Sequence, residues 1–146
     1  VEPATVDWVV SNCVVNLSPD KPRVFAEIAR VLKPGGQLSI SDIVVADEIP
    51  PWIRDIAGSY AACVGGAISE AAYLDGLRAA GLTDVRVVGR LIYEPRQVAA
   101  MIANDFPALD RTLVERALPY VDGKVASIRV TGRCETTDSP HSCLRC

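Results

Sequence analysis

The fold is decided by residues 6–45, VDWVVSNCVVNLSPDKPRVFAEIARVLKPGGQLSISDIVV. The first five residues of this stretch are mostly apolar and β-branched, which predicts a buried strand. Apolar side chains then recur at a helical spacing, and Asp20 stands before Pro22 as the expected N-cap. Pro34-Gly35-Gly36 is expected to end that helix, and residues 37–45 to form the next strand. A strand, helix and strand in this order indicate two parallel strands joined by a right-handed crossover.

The remaining sequence predicts three further kinds of segment. Helices are expected at 50–63, 69–80, 95–104 and 108–120, and strands at 84–92 and 124–131. The segment 134–146 is polar and without periodicity, so we expect a disordered or loosely attached tail.

Composition narrows the class of protein. The chain has 146 residues, 49% of them hydrophobic and 23% charged, as expected for one globular domain. A net charge of −3 argues against nucleic acid or an anionic membrane surface as the partner. Neither a transmembrane stretch nor a secretion signal is visible, which predicts a cytoplasmic protein. Because the sequence opens at Val1 without methionine, we expect a processed protein or a piece of a longer reading frame.

The chain contains five cysteines. An odd number without an export signal favours reduced thiols, with a disulfide framework as the alternative. Cys143 and Cys146 form a CxxC in the tail, and with Cys134 and His141 they could bind a metal. A single CxxC is weak support, so a mobile tail with fortuitous cysteines is the favoured interpretation.

A nucleoside-binding turn is missing from its usual place. No glycine-rich turn follows a first strand with an acidic residue about 20 positions further on. Gly65-Gly66 follows a predicted helix, and Gly35-Gly36 precedes a strand at the wrong edge of the sheet for a ligand. The sequence therefore predicts an incomplete cofactor site.

Several segments resemble a known family. LKPGG before a strand is common among class I S-adenosylmethionine-dependent methyltransferases. SNCVVNLSPDK is narrower and resembles arsenite methyltransferases, as do AACVGGAIS, YLDGLRAAGLTDVRV and GKVASIRVTGR. The resemblance covers about residues 6–133. It implies an α/β fold, the C-terminal half of a Rossmann-like class I methyltransferase, with a mixed sheet, flanking helices and an antiparallel last strand. Residues 1–133 would then be the substrate-binding half of the domain and 134–146 the tail.

The resemblance also implies the chemistry. Members of this family transfer a methyl group from S-adenosylmethionine to trivalent arsenic held by cysteine thiolates. Cys13 and Cys63 match two of the family's arsenic-binding cysteines, while its N-terminal cysteines and its glycine-rich cofactor loop have no counterpart here. We therefore expect arsenite as the ligand, and neither cofactor binding nor activity from this chain alone.

Position in the predicted sheet supports Cys13 independently of the resemblance. Ligands bind beyond the carboxyl ends of parallel strands, where Cys13 follows one strand and Asp42 lies near the end of the next. Soft thiolates select thiophilic centres, although cysteine is more often a small buried hydrophobe. Ser11 and Asn12 could face a cofactor or simply favour a strand-end turn. Asp42 could be a catalytic residue, but a turn or helix-capping role is the favoured interpretation.

Three functions stay open at this point. The chain could be an inactive portion of an arsenite methyltransferase, a module that binds arsenite or another thiophilic ion without turnover, or an assembly module without a ligand. Trp8 and Trp52 are interpreted as core or interface side chains. If the strand of residues 6–10 lacks its family neighbour, its open apolar edge predicts a homodimer through residues 6–15, or association with a missing N-terminal half.

Overall fold

The computed structural model describes residues 1–46, 49–53, 65–105 and 110–135. The strands are β1 (Val6–Asn12), β2 (Leu32–Val45), β3 (Leu82–Ile92) and β4 (Val125–Cys134), and the helices are α1 (Lys21–Val31), α2 (Glu70–Ala79), α3 (Pro95–Asp105) and α4 (Arg111–Val121). The sheet has the order β1-β2-β4-β3. β1 and β2 are parallel, and β4 runs antiparallel to both β2 and β3. The expected α/β fold, with its mixed sheet and antiparallel last strand, is confirmed.

Helix α1 begins where the sequence predicts. The Asp20 carboxylate accepts a hydrogen bond from the Arg23 N–H at 3.0 Å, which satisfies one of the unpaired donors of the first turn. The predicted stop at Pro34-Gly35-Gly36 is wrong, because α1 ends at Val31 and β2 begins at Leu32. Those three residues lie inside β2, where the register against β1 jumps between the pairs Val6–Leu32 and Trp8–Gln37. The extra residues form a bulge, and Gly35 takes a φ of +78° there.

The two faces of the sheet carry separate cores, because successive strand residues point to opposite faces. Leu38, Ile40 and Val44 of β2 face a cluster that includes side chains from α1 and α2. Ile43 and Val45 face a second cluster that includes Val98 and Val121 from the α3 and α4 side. Asp42 lies on the first face, between Ile40 and Val44 along the strand, and this placement determines its surroundings.

An aromatic contact joins α1 to α2. The rings of Phe25 and Tyr73 are 5.1 Å apart between centroids and meet edge to face. A Cβ at Gly76 would lie 2.6 Å from the Phe25 ring, so the missing side chain lets the helices approach this closely. Gly76 therefore has a packing role, although glycine is a poor helix former.

β1 and β3 are the two edges of the described sheet. On β1, Trp8 is 50% exposed and Val10 is 75% exposed. A core position for Trp8 is thus wrong. Trp52 is 36% exposed and packs edge to face on Tyr120, with ring centroids 5.8 Å apart. Within the described ranges, no helix is long and apolar enough to cross a membrane.

Candidate functional site

Cys13 stands directly after the carboxyl end of β1, as expected. Its N–H donates to the Ser41 carbonyl of β2 at 2.9 Å, and its side chain is half-buried. Its φ of +53° places it in the left-handed region, which non-glycine residues seldom adopt. A strained residue at the ligand-binding edge of an α/β sheet is a candidate for a functional role.

Ser11 and Asn12 are the last two residues of β1 and not part of the turn that follows. They pair with Ile40 and Ser41 of the parallel neighbour β2. Asn12 is exposed and Ser11 is half-buried, on opposite faces of the strand. Both lie at the edge where a cofactor would approach, and their predicted contact with it stays a prediction.

Asp42 corrects the sequence-based interpretation. It is neither a turn residue nor a helix cap, because it lies within β2 opposite Ile128 of β4 and is fully buried. Its Oδ2 accepts hydrogen bonds from the Asn16 N–H and the Tyr73 hydroxyl, both at 3.2 Å. Its Oδ1 accepts from the N–H of Ile43 at 3.0 Å. Three donors thus surround a carboxylate that is removed from water.

Asn16 and Tyr73 are part of the site, although sequence analysis did not select them. Asn16 is 2% exposed and donates through Nδ2 to the Ile43 carbonyl at 2.6 Å. The one available signal for Asn16 was a polar residue inside the apolar run Val14–Leu17. Tyr73 had no such signal, because the contact of its hydroxyl with Asp42 depends on packing between residues 31 positions apart in the chain.

Burial shifts the pKa values of Asp42 and of its neighbours Lys21 and Tyr73. Desolvation raises the pKa of the Asp42 carboxyl, while its hydrogen bonds and the nearby charge of Lys21 act in the opposite direction. Desolvation also lowers the pKa of Lys21, partly offset by attraction to Asp42. The pKa of Tyr73 is raised by burial, and further by the negative charges of Asp42 and Cys13. The Tyr73 hydroxyl therefore stays protonated and keeps its role as a donor.

The raised pKa of Asp42 predicts a pH-dependent stability. The pKa of Asp42 is higher in the folded chain than in the unfolded chain. At pH values between these two pKa values, the folded chain binds more protons than the unfolded chain. The free energy of unfolding therefore falls as the pH rises through this range. We expect wild type to gain stability relative to Asp42→Asn as pH falls from 7 toward about 4, as urea unfolding of both proteins would measure.

Glu27→Gln is the matched control for this comparison. The hydrogen bond from Arg30 lowers the pKa of Glu27, so wild type is expected to lose stability relative to this variant as pH falls. The two variants should therefore show pH trends of opposite sign. Equal trends would contradict the assignment of Asp42 as a buried carboxylate with a raised pKa.

The other cysteines are not seen near Cys13, because they lie either at the opposite edge of the sheet or outside the described residues. Cys63, Cys143 and Cys146, together with His141, are outside the described residues. Cys134 is buried at the end of β4, opposite Leu82 and one residue beyond the pair Arg133–Gln37. That position is the amino edge of β2, whereas Cys13 is at the carboxyl edge, so these two cysteines do not share a site. The described part of the chain holds no cluster of three or more metal-binding side chains.

Most of the chain is similar to known methyltransferases. Residues 1–105 match the family described as a methyltransferase domain. The chain belongs to this methyltransferase family. An arsenite methyltransferase from Aquipseudomonas alcaligenes is 43% identical over 82 residues, covering 56% of this chain and 24% of that protein. The arsenite methyltransferase of Homo sapiens is 50% identical over 62 residues, covering 42% of this chain and 16% of that protein.

Solved structures agree with this assignment. The crystal structure of an arsenic(III) S-adenosylmethionine methyltransferase from Chlamydomonas reinhardtii has a TM-score of 0.64 and 30% identity, over 90% of this chain and 38% of that one. A Haemonchus contortus phosphoethanolamine N-methyltransferase, at 16% identity and a TM-score of 0.61, shows the shared fold alone. The resemblance to S-adenosylmethionine-dependent arsenite methyltransferases is confirmed. The chain spans 16–24% of the two curated relatives, a small part of each.

A full site for S-adenosylmethionine does not fit the described residues. Among them, no strand is followed at its carboxyl end by a glycine-rich turn, since β1 leads into Cys13-Val14 and β2 into Ala46. Gly35 and Gly36 lie near the amino edge of β2, away from Cys13. Ser11 and Asn12 at the carboxyl end of β1 remain the described residues for which a cofactor contact is predicted.

Proposed function

We propose that this chain captures trivalent arsenic through the thiolates of Cys13 and Cys63 and forms the arsenic-binding portion of an arsenite methyltransferase. The observation that carries the proposal is Cys13, held in left-handed backbone at the carboxyl edge of β1. Similarity to arsenite methyltransferases supports arsenic as the thiophilic centre. Cys63 is included in the proposal because it lies in the glycine-flanked segment ACVGG and matches an arsenic-binding cysteine of the family.

The capture chemistry is a condensation without any change of oxidation state. Arsenous acid reacts with two thiols, so that two As–S bonds form, two As–O bonds break and two water molecules leave. The thiol protons leave in that water. Soft sulfur ligands favour this centre over hard cations, and Cys13 is half-buried rather than enclosed in the core.

Methyl transfer is assigned to a longer protein or to an associated chain. The described residues do not form a complete cofactor site, so the chain alone is proposed to be inactive. We place it in the cytoplasm, where thiols stay reduced and available to arsenite. We expect weak or no binding of S-adenosylmethionine by this chain alone. Calorimetry measures this binding, and micromolar affinity would contradict the expectation.

Arsenite titration tests the capture site. We expect Cys13→Ser and Cys63→Ser each to weaken arsenite binding at least about tenfold, or about 1.4 kcal/mol, because one As–S bond is lost. The sulfur-to-arsenic absorption band in the ultraviolet would measure binding.

Cys134→Ala is the matched control because it removes a thiol at the opposite edge of the sheet. Its arsenite affinity is expected to equal that of wild type. Unchanged affinity in Cys13→Ser, or an equal loss in Cys134→Ala, would count against a site at Cys13.

A further inference from the structure

The turn that carries Cys13 is fastened to β2 at three successive residues. The Cys13 N–H donates to the Ser41 carbonyl, and the Asn16 N–H donates to the Asp42 carboxylate. The Asn16 side chain donates to the Ile43 carbonyl at 2.6 Å. Residues 13–16 are therefore held at both ends, and two of the three bonds come from Asn16.

The Asp42 carboxylate, which accepts the Asn16 N–H, is also held by side chains of α1 and α2. Tyr73 of α2 donates to the same Oδ2 atom, and its ring packs on Phe25 of α1. Lys21, only 8% exposed, contributes an opposing charge to Asp42 and donates to the Ser18 carbonyl at 3.3 Å. The two helices on this face thus hold Asp42 in place beneath the turn.

Asn16 stays buried at a cost. Its Oδ1 has no hydrogen-bond partner among the described residues, and a buried acceptor without a partner destabilises the folded state. The left-handed backbone of Cys13 is also unfavourable for a residue with a side chain. Strain of this kind persists only where surrounding contacts impose it, and the hydrogen bonds of Asn16 to Asp42 and Ile43 are among the contacts that hold this turn.

We infer that Asn16 and Asp42 are positioning residues for Cys13, which fix its backbone and so set the place of its sulfur for arsenic capture. The inference rests on the proposed function for its ligand. Two sulfurs must meet one arsenic atom at bonding distance, so a turn that relaxes toward ordinary backbone would move one ligand out of place. Groups that orient a ligand in this way typically change affinity by about 10–100-fold when removed.

The test uses two readouts on the whole chain. Asn16→Ala removes the bond to Ile43, and we expect arsenite binding to weaken about tenfold. The freed turn should also let iodoacetamide alkylate Cys13 severalfold faster. Mass spectrometry resolves this reaction, because Cys13 is the single cysteine in the tryptic peptide 1–23. Both readouts are taken where circular dichroism shows each variant folded.

Leu82→Val is the matched control. It shortens a buried side chain on β3, the opposite edge of the sheet, and is expected to lower stability modestly. Arsenite affinity and Cys13 alkylation should then equal those of wild type. Tyr73→Phe provides a milder change, since it removes one bond to Asp42 and keeps the turn's own bonds, and a smaller effect in the same direction is expected.

The outcomes separate this inference from the proposed function. If wild type fails to bind arsenite, the proposed function fails, while the alkylation rates still decide whether Asn16 positions Cys13. If wild type binds arsenite and both readouts are unchanged in Asn16→Ala and Tyr73→Phe, positioning is overturned and capture stands. An equal change in Leu82→Val would also overturn it, because general loosening would then explain the effect. Should Asn16→Ala not fold, Tyr73→Phe with unchanged readouts overturns it alone.

Discussion

Replacing Phe25 by alanine is expected to lower the free energy of unfolding by about 3–5 kcal/mol. Phe25 is 1% exposed and packs in the core shared by α1, α2 and the sheet. Its loss removes the edge-to-face contact with Tyr73 and leaves a cavity between the two helices. Because domains are stable by only about 5–15 kcal/mol, a large part of the total would be lost. Urea unfolding followed by circular dichroism measures the change.

Gly76 supplies an internal control for this prediction. In wild type, Gly76→Ala would place a methyl group 2.6 Å from the Phe25 ring and should destabilise by about 1–3 kcal/mol. Without that ring the same substitution meets an open space, and alanine's better helix propensity should stabilise the double variant relative to Phe25→Ala. Strictly additive effects of the two changes would contradict the packing of α1 on α2.

Local signals in the sequence accounted for much of the secondary structure of the described residues. The helix expected at 50–63 lies largely outside them. The crossover unit of residues 6–45 and the Asp20 cap follow from periodicity and capping chemistry, and both are present. The start of β2 was placed too late. Proline and glycine ordinarily end a helix or a strand. Here Pro34-Gly35-Gly36 form a bulge inside β2, a strand that pairs with β1 and with β4. Pairing across the sheet is a tertiary property that no local pattern contains.

The candidate site could be predicted only in part. Cys13 was found because a strand's carboxyl end and a family motif coincide there. Asp42 was misinterpreted because an aspartate near a strand end usually caps a helix or lies in a turn. The three donors that surround its carboxylate come from residues 16, 43 and 73, which are far apart in the sequence. A buried carboxylate becomes acceptable only when such donors converge, and their convergence depends on how α2 packs against the sheet.

A second large effect is expected at the edge of β1. We expect the chain to form a homodimer at high concentration through antiparallel pairing of β1 with β1 of a second copy. Within the described residues, no other strand pairs with the outer side of β1, and Val10 and Trp8 present apolar surface on one face. Such an edge is a ready template for another strand, and two-fold symmetry makes one surface complementary to itself. Light scattering should give twice the monomer mass.

Val10→Lys is expected to weaken this dimer strongly. Each interface would gain two like charges near the symmetry axis and lose apolar contact, a change of about 3 kcal/mol or a hundredfold rise in the dimer dissociation constant. Val88→Lys is the matched control, because Val88 is 45% exposed on β3, the opposite edge of the sheet. Its mass should stay that of wild type. A monomeric wild type, or a dimer that Val88→Lys alone disrupts, would refute pairing through β1. A monomer would instead favour a strand from a longer chain as the neighbour of β1, and Cys13 would then lie at the junction of the two parts.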